Sequence, residues 1–324
     1  MMYFQVLVGF VVLTGAAEVL VRGAVSLADR MGVSPLVIGM TVVAVGTSAP
    51  ELVVSLDAAL AGAPGLAVGN IVGSNIANVI LILGVTCLVK PIVDGTAALK
   101  RDAAILMGGG LLFAGLCLRG ELDLIAGIVL LVGFFTFLGV SYWRDSNDPE
   151  AAEEIIHEVE ELEGKPKSLP VTLALVIAGL AGLAFGADIL VDGGVAIARE
   201  FGISEEVIGL TVFAFGTSLP ELAASVVAAM RGHSDIAIGN VVGSNLFNVL
   251  GVGGTAAVVV TLPVAPQILS FDLWVMLAAS AFLLPVMVMG WRLTRAGAVI
   301  FLILYGAYIW AQAYGVEQLL GRTV

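Results

Sequence analysis

The sequence predicts an all-α membrane protein of ten transmembrane helices, built as two inverted five-helix repeats with broken helices at the midplane. Three observations carry that expectation. The chain is 59% hydrophobic and only 12% charged, with a mean hydropathy of +1.07, which is the composition of a polytopic membrane protein and not of a soluble fold. Residues 41–56 recur at 211–226 with ten of sixteen positions identical, and 67–79 recur at 237–249 with nine of thirteen. Each copy of the first stretch sets a carboxylate, Glu51 or Glu221, near the middle of an apolar run.

Apolar runs divided by Gly, Pro and charge place the spans at 4–28, 35–60, 66–89, 102–118, 121–143, 170–197, 206–230, 235–260, 270–290 and 295–315. Each suits a hydrocarbon core of about 30 Å, with 102–118 at the short limit. No positively charged segment precedes the first run, so it does not read as a cleavable leader. Residues 13–34 also align without a gap to 183–204, which makes this run a repeated helix, expected to be retained. Cys87 and Cys117 sit in apolar segments without metal-ligand spacing and read as small buried hydrophobes.

The repeat offset is 170 residues throughout, and no gap is needed from residue 13 to 79. The chain therefore divides into a first repeat, 1–143, a linker, 144–169, and a second repeat, 170–324. Five spans is an odd number, so the second half enters the membrane inverted. Lysine and arginine positions give an independent reading. With the N-terminus outside, the inner loops and helix ends hold eleven of them: Arg22, Arg30, Lys90, Lys100, Arg101, Arg144, Lys165, Lys167, Arg231, Arg292 and Arg295. The outer side holds three, Arg119, Arg199 and Arg322. That bias sets both termini outside and the central loop in the cytoplasm of a cell (inner) membrane.

The linker explains most of the net charge of −12. Nine acidic residues crowd it, from Asp145 to Glu163. Asp148-Pro149 resembles a helix start, and 150–163 suits one short exposed helix. The linker lacks the calcium-loop pattern of alternating Asp followed by Gly, so it reads as a solvated connection.

The repeated stretch carries the chemistry. It reads Gly-Thr-Ser-Ala-Pro-Glu at 46–51 and Gly-Thr-Ser-Leu-Pro-Glu at 216–221. Pro50 has no N–H, so the carbonyl of Gly46 loses its helical partner, and Gly46 permits non-helical dihedrals. The helix is expected to break near 46–50, and its copy near 216–220. Broken backbone in a membrane survives only where it is buried in protein or lines a cavity. There the carbonyls of Ala44, Thr47, Ala214 and Thr217 can meet a cation. Ser48 and Ser218 share a helical face with Glu51 and Glu221.

The next span of each half repeats Gly-Asn-x-x-Gly-Ser-Asn-x-x-Asn, with Ser74 and Asn78 one turn apart in one copy and Ser244 and Asn248 in the other. Gly69 and Gly73 form a small-xxx-small pair that admits a close helix. A charge at the bilayer centre costs about 2.5–3.5 kcal/mol on insertion scales. Two of them amid hydroxyls, amides and free carbonyls describe an all-oxygen site for a hard cation. Ca²⁺ takes six to eight such oxygens and Na⁺ accepts the same donors, while nothing soft favours zinc or copper.

These paired motifs resemble the alpha repeats of the calcium/cation antiporter superfamily, and most of all prokaryotic sodium/calcium exchangers. The resemblance covers nearly the whole chain. It implies alternating access, with the first and sixth helices sliding across the rest. It also implies ion-binding positions at Ala44, Thr47, Ser48, Glu51, Ser74 and Asn78, and at Ala214, Thr217, Ser218, Glu221, Ser244 and Asn248. Proton-coupled relatives carry a different form of the first motif, so the match favours the sodium branch. Some members, including potassium-dependent ones, have Asp where this chain has Asn248, which argues against a potassium requirement.

By the residues alone, three readings stay open: exchange of Na⁺ for Ca²⁺, exchange of Ca²⁺ for protons through the two glutamates, and a cation channel with an acidic constriction. No enzyme is expected. There is no His-Glu-x-x-His or Gly-x-Ser-x-Gly pattern, and His157 and His233 both fall in loops. No cofactor and no obligate protein partner are implied, and no basic patch points to nucleic acid. The expected partners are the bilayer and the transported Ca²⁺ and Na⁺. Glu18 and Arg22, four apart on the first helix, read as a local ion pair.

Overall fold

The structure is a computed structural model that describes residues 2–91, 97–145, 168–201, 214–289 and 292–316. The helix expected at 150–163 and residues 206–213 of the span at 206–230 lie outside them. The described chain is helical apart from turns and a two-residue antiparallel pairing of Glu121–Leu122 with Leu262–Pro263. Among the described residues, seven helices are long and apolar enough to cross a bilayer: Met2–Met31, Pro64–Val89, Leu124–Asp145, Leu169–Glu200, Ser234–Val259, Ile268–Pro285 and Arg295–Tyr314. An eighth span forms if Pro35–Thr47 and Ala49–Leu60 count as one. Ala104–Cys117 and Leu219–Met230 are apolar but shorter. The count of ten expected spans is thus met only in part by length among the described residues.

Large apolar side chains such as Phe4, Phe135, Ile177 and Ile303 stand exposed on these helices. Such surface is stable against lipid and not against water. The two helices that carry the Gly-Asn motif differ: the apolar window of Ser234–Val259 is 100% buried and that of Pro64–Val89 is 78% buried, against 28% for Met2–Met31. Their polar side chains are therefore sheltered from lipid, as polar groups in a membrane must be.

The chain divides into two compact units, residues 1–50 with 137–244, and residues 51–136 with 245–324. In the first, Met2–Met31 and Leu169–Glu200 pack antiparallel with their backbones in near contact. A Cβ on Gly179 would stand 2.7 Å from Leu20, one on Gly186 2.9 Å from Leu13, and one on Gly9 2.7 Å from Leu190. Arg30 and Ser26 meet Thr172 at 3.1 and 3.0 Å. A second close approach joins Pro35–Val43 to the start of Ser234–Val259. There a Cβ on Gly239 would lie 2.5 Å from the Leu36 carbonyl, and one on Gly243 2.2 Å from that of Met40. Small residues on both faces allow this dispersion contact, which drives helix association in lipid. Among the described residues, no neighbouring helix comes within 4 Å of a Cβ at Gly69 or Gly73, and the close approach is seen at the second copy.

Asp145, counted above with the linker acids, ends the helix Leu124–Asp145 and is 3% exposed. Its carboxylate accepts from the Ser34 backbone N–H and, at 3.1 Å, from the Ser34 hydroxyl. Ser34 in turn caps the helix begun by Pro35. Asp145→Ala would leave two buried donors without an acceptor, at a cost of about 1–3 kcal/mol. The expected result is a lower melting temperature of the detergent-purified protein, with Asp145→Asn falling between.

In the second unit, Gly127 and Gly254 bring Leu124–Asp145 against Ser234–Val259, and Phe134 packs on Phe247 at 5.3 Å. Asp272, 6% exposed, accepts from Gln267 and Tyr308 at 3.2 Å each, and from Gln312. Three donors satisfy this buried carboxylate. The turns after Leu60 and Met230 match across the repeat. Gly62 has φ +84° and Gly232 has φ +92°, a conformation that favours glycine at a helix end. In each turn a 2.9 Å bond, Ala63 N–H to Ala58 and His233 N–H to Ala228, closes the helix.

Candidate functional site: the two helix breaks

Both breaks form where the proline chemistry puts them. Helix Ala44–Thr47 stops at Ser48 (φ −87°, ψ 11°) and resumes as Ala49–Leu60. Helix Ala214–Thr217 stops at Ser218 (φ −89°, ψ 2°) and resumes as Leu219–Met230. Both serines occupy the same sparsely populated region of backbone space. Pro50 and Pro220 fall in the first turn of the resumed helix, where the missing N–H costs nothing.

The expected role of Gly46 is corrected. It is helical and has no positive φ. A Cβ on it would strike Leu180 at 2.5 Å, and one on Gly216 would strike Val191 at 2.6 Å. These glycines clear space for Leu169–Glu200 to pass each break. The Ala44 carbonyl also keeps a helical partner, the Ser48 N–H at 3.0 Å; its second lone pair is what remains for a ligand.

Within the first unit the structure brings Thr47, Ser48 and Glu221 together. The Ser48 hydroxyl donates to Glu221 Oε1 at 2.7 Å, and Glu221 is 1% exposed. Thr47 Oγ1 donates to Asn240 Oδ1 at 3.1 Å. Asn240 Nδ2 donates to the Glu221 carbonyl at 3.3 Å and to Ser225 Oγ at 3.0 Å. Glu221 Oε2, Ser218 Oγ and Ser244 Oγ are buried with no hydrogen-bond partner among the described residues. Ala214 opens its short helix, and Thr217 closes it.

The second unit repeats part of this. Glu51 is 1% exposed and Ser74 5%. Asn70 Nδ2 donates to the Glu51 carbonyl at 3.3 Å and to Ser55 Oγ at 3.0 Å. The side-chain amides of Asn78 and Asn248 are buried without hydrogen-bond partners among the described residues. Each sits at the second position of a π-helical turn, Ala77–Ile82 or Phe247–Val252, at equivalent places in the two repeats. Single π turns inside helices are frequent at functional sites, and no pattern in the sequence announced them. A buried polar atom without a partner costs about 1–3 kcal/mol. Buried oxygens in that condition suit a hard cation far better than an apolar ligand. Among the described residues, no three His, Cys, Asp or Glu side chains gather as a metal centre.

The sequence reading missed Asn70, Asn240, Ser55 and Ser225 as site residues. All four are kept at the 170-residue offset, and that was the available signal.

Comparison with known proteins gives the family and the fold. A family model described as sodium/calcium exchanger protein matches residues 1–143 and 171–314. The chain belongs to the sodium/calcium exchanger family. It is similar to the sodium/calcium exchanger MaX1 of Methanosarcina acetivorans, 34% identical over 342 residues that cover 95% of this chain and 97% of the relative. It is 40% identical to the CaxA protein of Alkalimonas amylolytica over 306 residues, covering 94% and 95%. A solved structure of the sodium-calcium exchanger NCX_Mj superposes with a TM-score of 0.83 at 31% identity, covering 96% of this chain and 98% of that one. Family and fold are those of multi-pass membrane exchangers and not of enzymes.

In this family member, Glu18 is more than a local ion pair. It binds Arg22 Nε at 2.8 Å and also Arg231 Nε at 2.6 Å, at the end of Leu219–Met230. Glu18 and Arg231 also border a cavity of about 570 Å³ walled by Phe10, Val11, Val227 and Met230. Asp188 and Asp192, at the matching offset, are exposed.

Proposed function

We propose that this chain exchanges Na⁺ for Ca²⁺ across a cell (inner) membrane, by alternating access at one central site. The two repeats supply the ligands: Ala44, Thr47, Ser48, Glu51, Ser74 and Asn78 from the first, and Ala214, Thr217, Ser218, Glu221, Ser244 and Asn248 from the second. Glu51 and Glu221 neutralise one Ca²⁺. The same oxygens take Na⁺ instead, and competition for them couples the two fluxes. The apolar runs and the internal repeat support ten spans in two inverted sets, and the positive-inside bias supports termini outside with the central linker cytoplasmic. The single observation that carries the reading is the helix break that occurs twice, each time three residues before a buried glutamate. Burying a carboxylate in a membrane is too costly to keep without a function.

The deciding experiment is tracer Ca²⁺ uptake into proteoliposomes loaded with Na⁺, compared with K⁺-loaded vesicles at matched pH and with an imposed proton gradient. Uptake is expected only with an outward Na⁺ gradient. Uptake driven by protons alone would move the protein to proton coupling, and uptake with no counter-ion requirement would make it a channel. If exchange moves net charge, each charge contributes about 2.3 kcal/mol per 100 mV, so a valinomycin-clamped potential should shift the rate.

A further inference from the structure

We infer that Asn240 is a positioning residue for the cation site, orienting Thr47 and Glu221 without touching the ion. The inference rests on the exchange reading above. Asn240 is 0% exposed, so its hydrogen bonds face no competing water. Its amide can be placed only one way. Nδ2 faces the Glu221 carbonyl at 3.3 Å, which cannot donate, so the nitrogen must. The same nitrogen gives its second proton to Ser225 Oγ at 3.0 Å. The oxygen end is then left facing Thr47 Oγ1 at 3.1 Å, and Thr47 must be the donor there.

A threonine hydroxyl has one proton. Three acceptors surround the Thr47 hydroxyl: Asn240 Oδ1 at 3.1 Å, the Ala44 carbonyl at 3.3 Å and the Glu221 carboxylate. Committed to Asn240, the proton leaves the lone pairs of Thr47 and one lone pair of Ala44 for a cation. Turned to Ala44, it would cover one expected ligand with another. The same amide holds the backbone of Glu221 and the side chain one turn on. Asn70 makes the same two donations, at the same 3.3 and 3.0 Å, to the Glu51 carbonyl and Ser55. The brace is therefore a device repeated in both halves, and not an isolated contact between two helices.

The test is a double-mutant cycle on the KM for Ca²⁺, read as Na⁺-driven tracer uptake in proteoliposomes. Asn240→Leu removes the brace at similar size, and Thr47→Val removes the hydroxyl but keeps the carbonyl and the branched shape. Each single change is expected to raise KM about tenfold, the size of one well-made buried hydrogen bond. The double variant is expected to fall well short of the product of the two factors, because the Thr47–Asn240 bond is already lost in either single variant. Factors that multiply toward a hundredfold would overturn the inference, as would a lower maximal rate at unchanged KM, the result of a purely structural role. Asn240→Asp keeps the volume and exchanges the donating nitrogen for an acceptor, so it serves if the leucine variant does not fold. An unchanged KM in that variant would overturn the inference too. If the unmodified protein shows no Na⁺-driven uptake, the exchange reading fails and takes this inference with it; intact wild-type uptake with multiplying factors sinks the inference alone.

Discussion

Glu221→Gln is expected to abolish Na⁺-dependent Ca²⁺ uptake, and Glu51→Gln to do the same. The substitution keeps the volume. The amide oxygen it introduces can still accept from the Ser48 hydroxyl, which stands 2.7 Å from Glu221 Oε1, so packing is disturbed little. What is lost is one negative charge facing a divalent ion. At an effective dielectric of about 20, unit charges about 4 Å apart interact by about 4 kcal/mol. A divalent ion doubles that, and desolvation of the carboxylate offsets part of it. Even a third of the unit value is about a tenfold loss in affinity, and the full effect runs to many orders. Both glutamates are 1% exposed, so solvent and salt screen them weakly. The measurement is tracer flux at saturating external Ca²⁺, with gel filtration in detergent as the check on folding. Normal flux in either variant would remove the central claim about this site.

The second large effect is expected at a glycine. Gly243→Ala should destabilise the protein and silence transport, although alanine is the better helix former. A Cβ there would stand 2.2 Å from the Met40 carbonyl oxygen and 2.5 Å from the Met40 Cα. Both are backbone atoms of a neighbouring helix, so no rotamer change relieves the clash. Overpacking of this kind costs about 1–3 kcal/mol, against a gain of about 1 kcal/mol from helix propensity. The helices forced apart carry Thr47 and Ser48 on one side and Asn240 and Ser244 on the other, so the strain falls on the site. Gly15→Ala is the control. Nothing stands within 4 Å of a Cβ at Gly15, and there the propensity gain should appear alone. Thermal unfolding in detergent should show the melting temperature falling for Gly243→Ala and holding or rising for Gly15→Ala. Equal shifts in both variants would mean that the close approach to Met40 contributes nothing.

Some features of this protein are written in local chemistry, and they were legible in a single chain. Apolar length marks a membrane span because lipid cannot satisfy a bare backbone. A proline takes away one N–H, so Pro50 and Pro220 point to breaks near Ser48 and Ser218 before any packing is known. The cost of a buried carboxylate singles out Glu51 and Glu221 against their apolar surroundings. The 170-residue offset needed no structure at all. What stayed hidden was every pairing between elements far apart in the chain. Gly46 reads as a flexible hinge until Leu180 is seen 2.5 Å from its missing Cβ. Asp145 reads as one more linker acid until Ser34 turns out to be its partner. Glu18 reads as a local pair until Arg231 arrives from 213 residues away. Asn240 reads as a motif residue of no stated use until Thr47 and Glu221 close around its amide. Helix breaks and spans are properties of a few consecutive residues, whereas the partner of a buried polar group is chosen by packing, and packing is set only when the whole chain has folded.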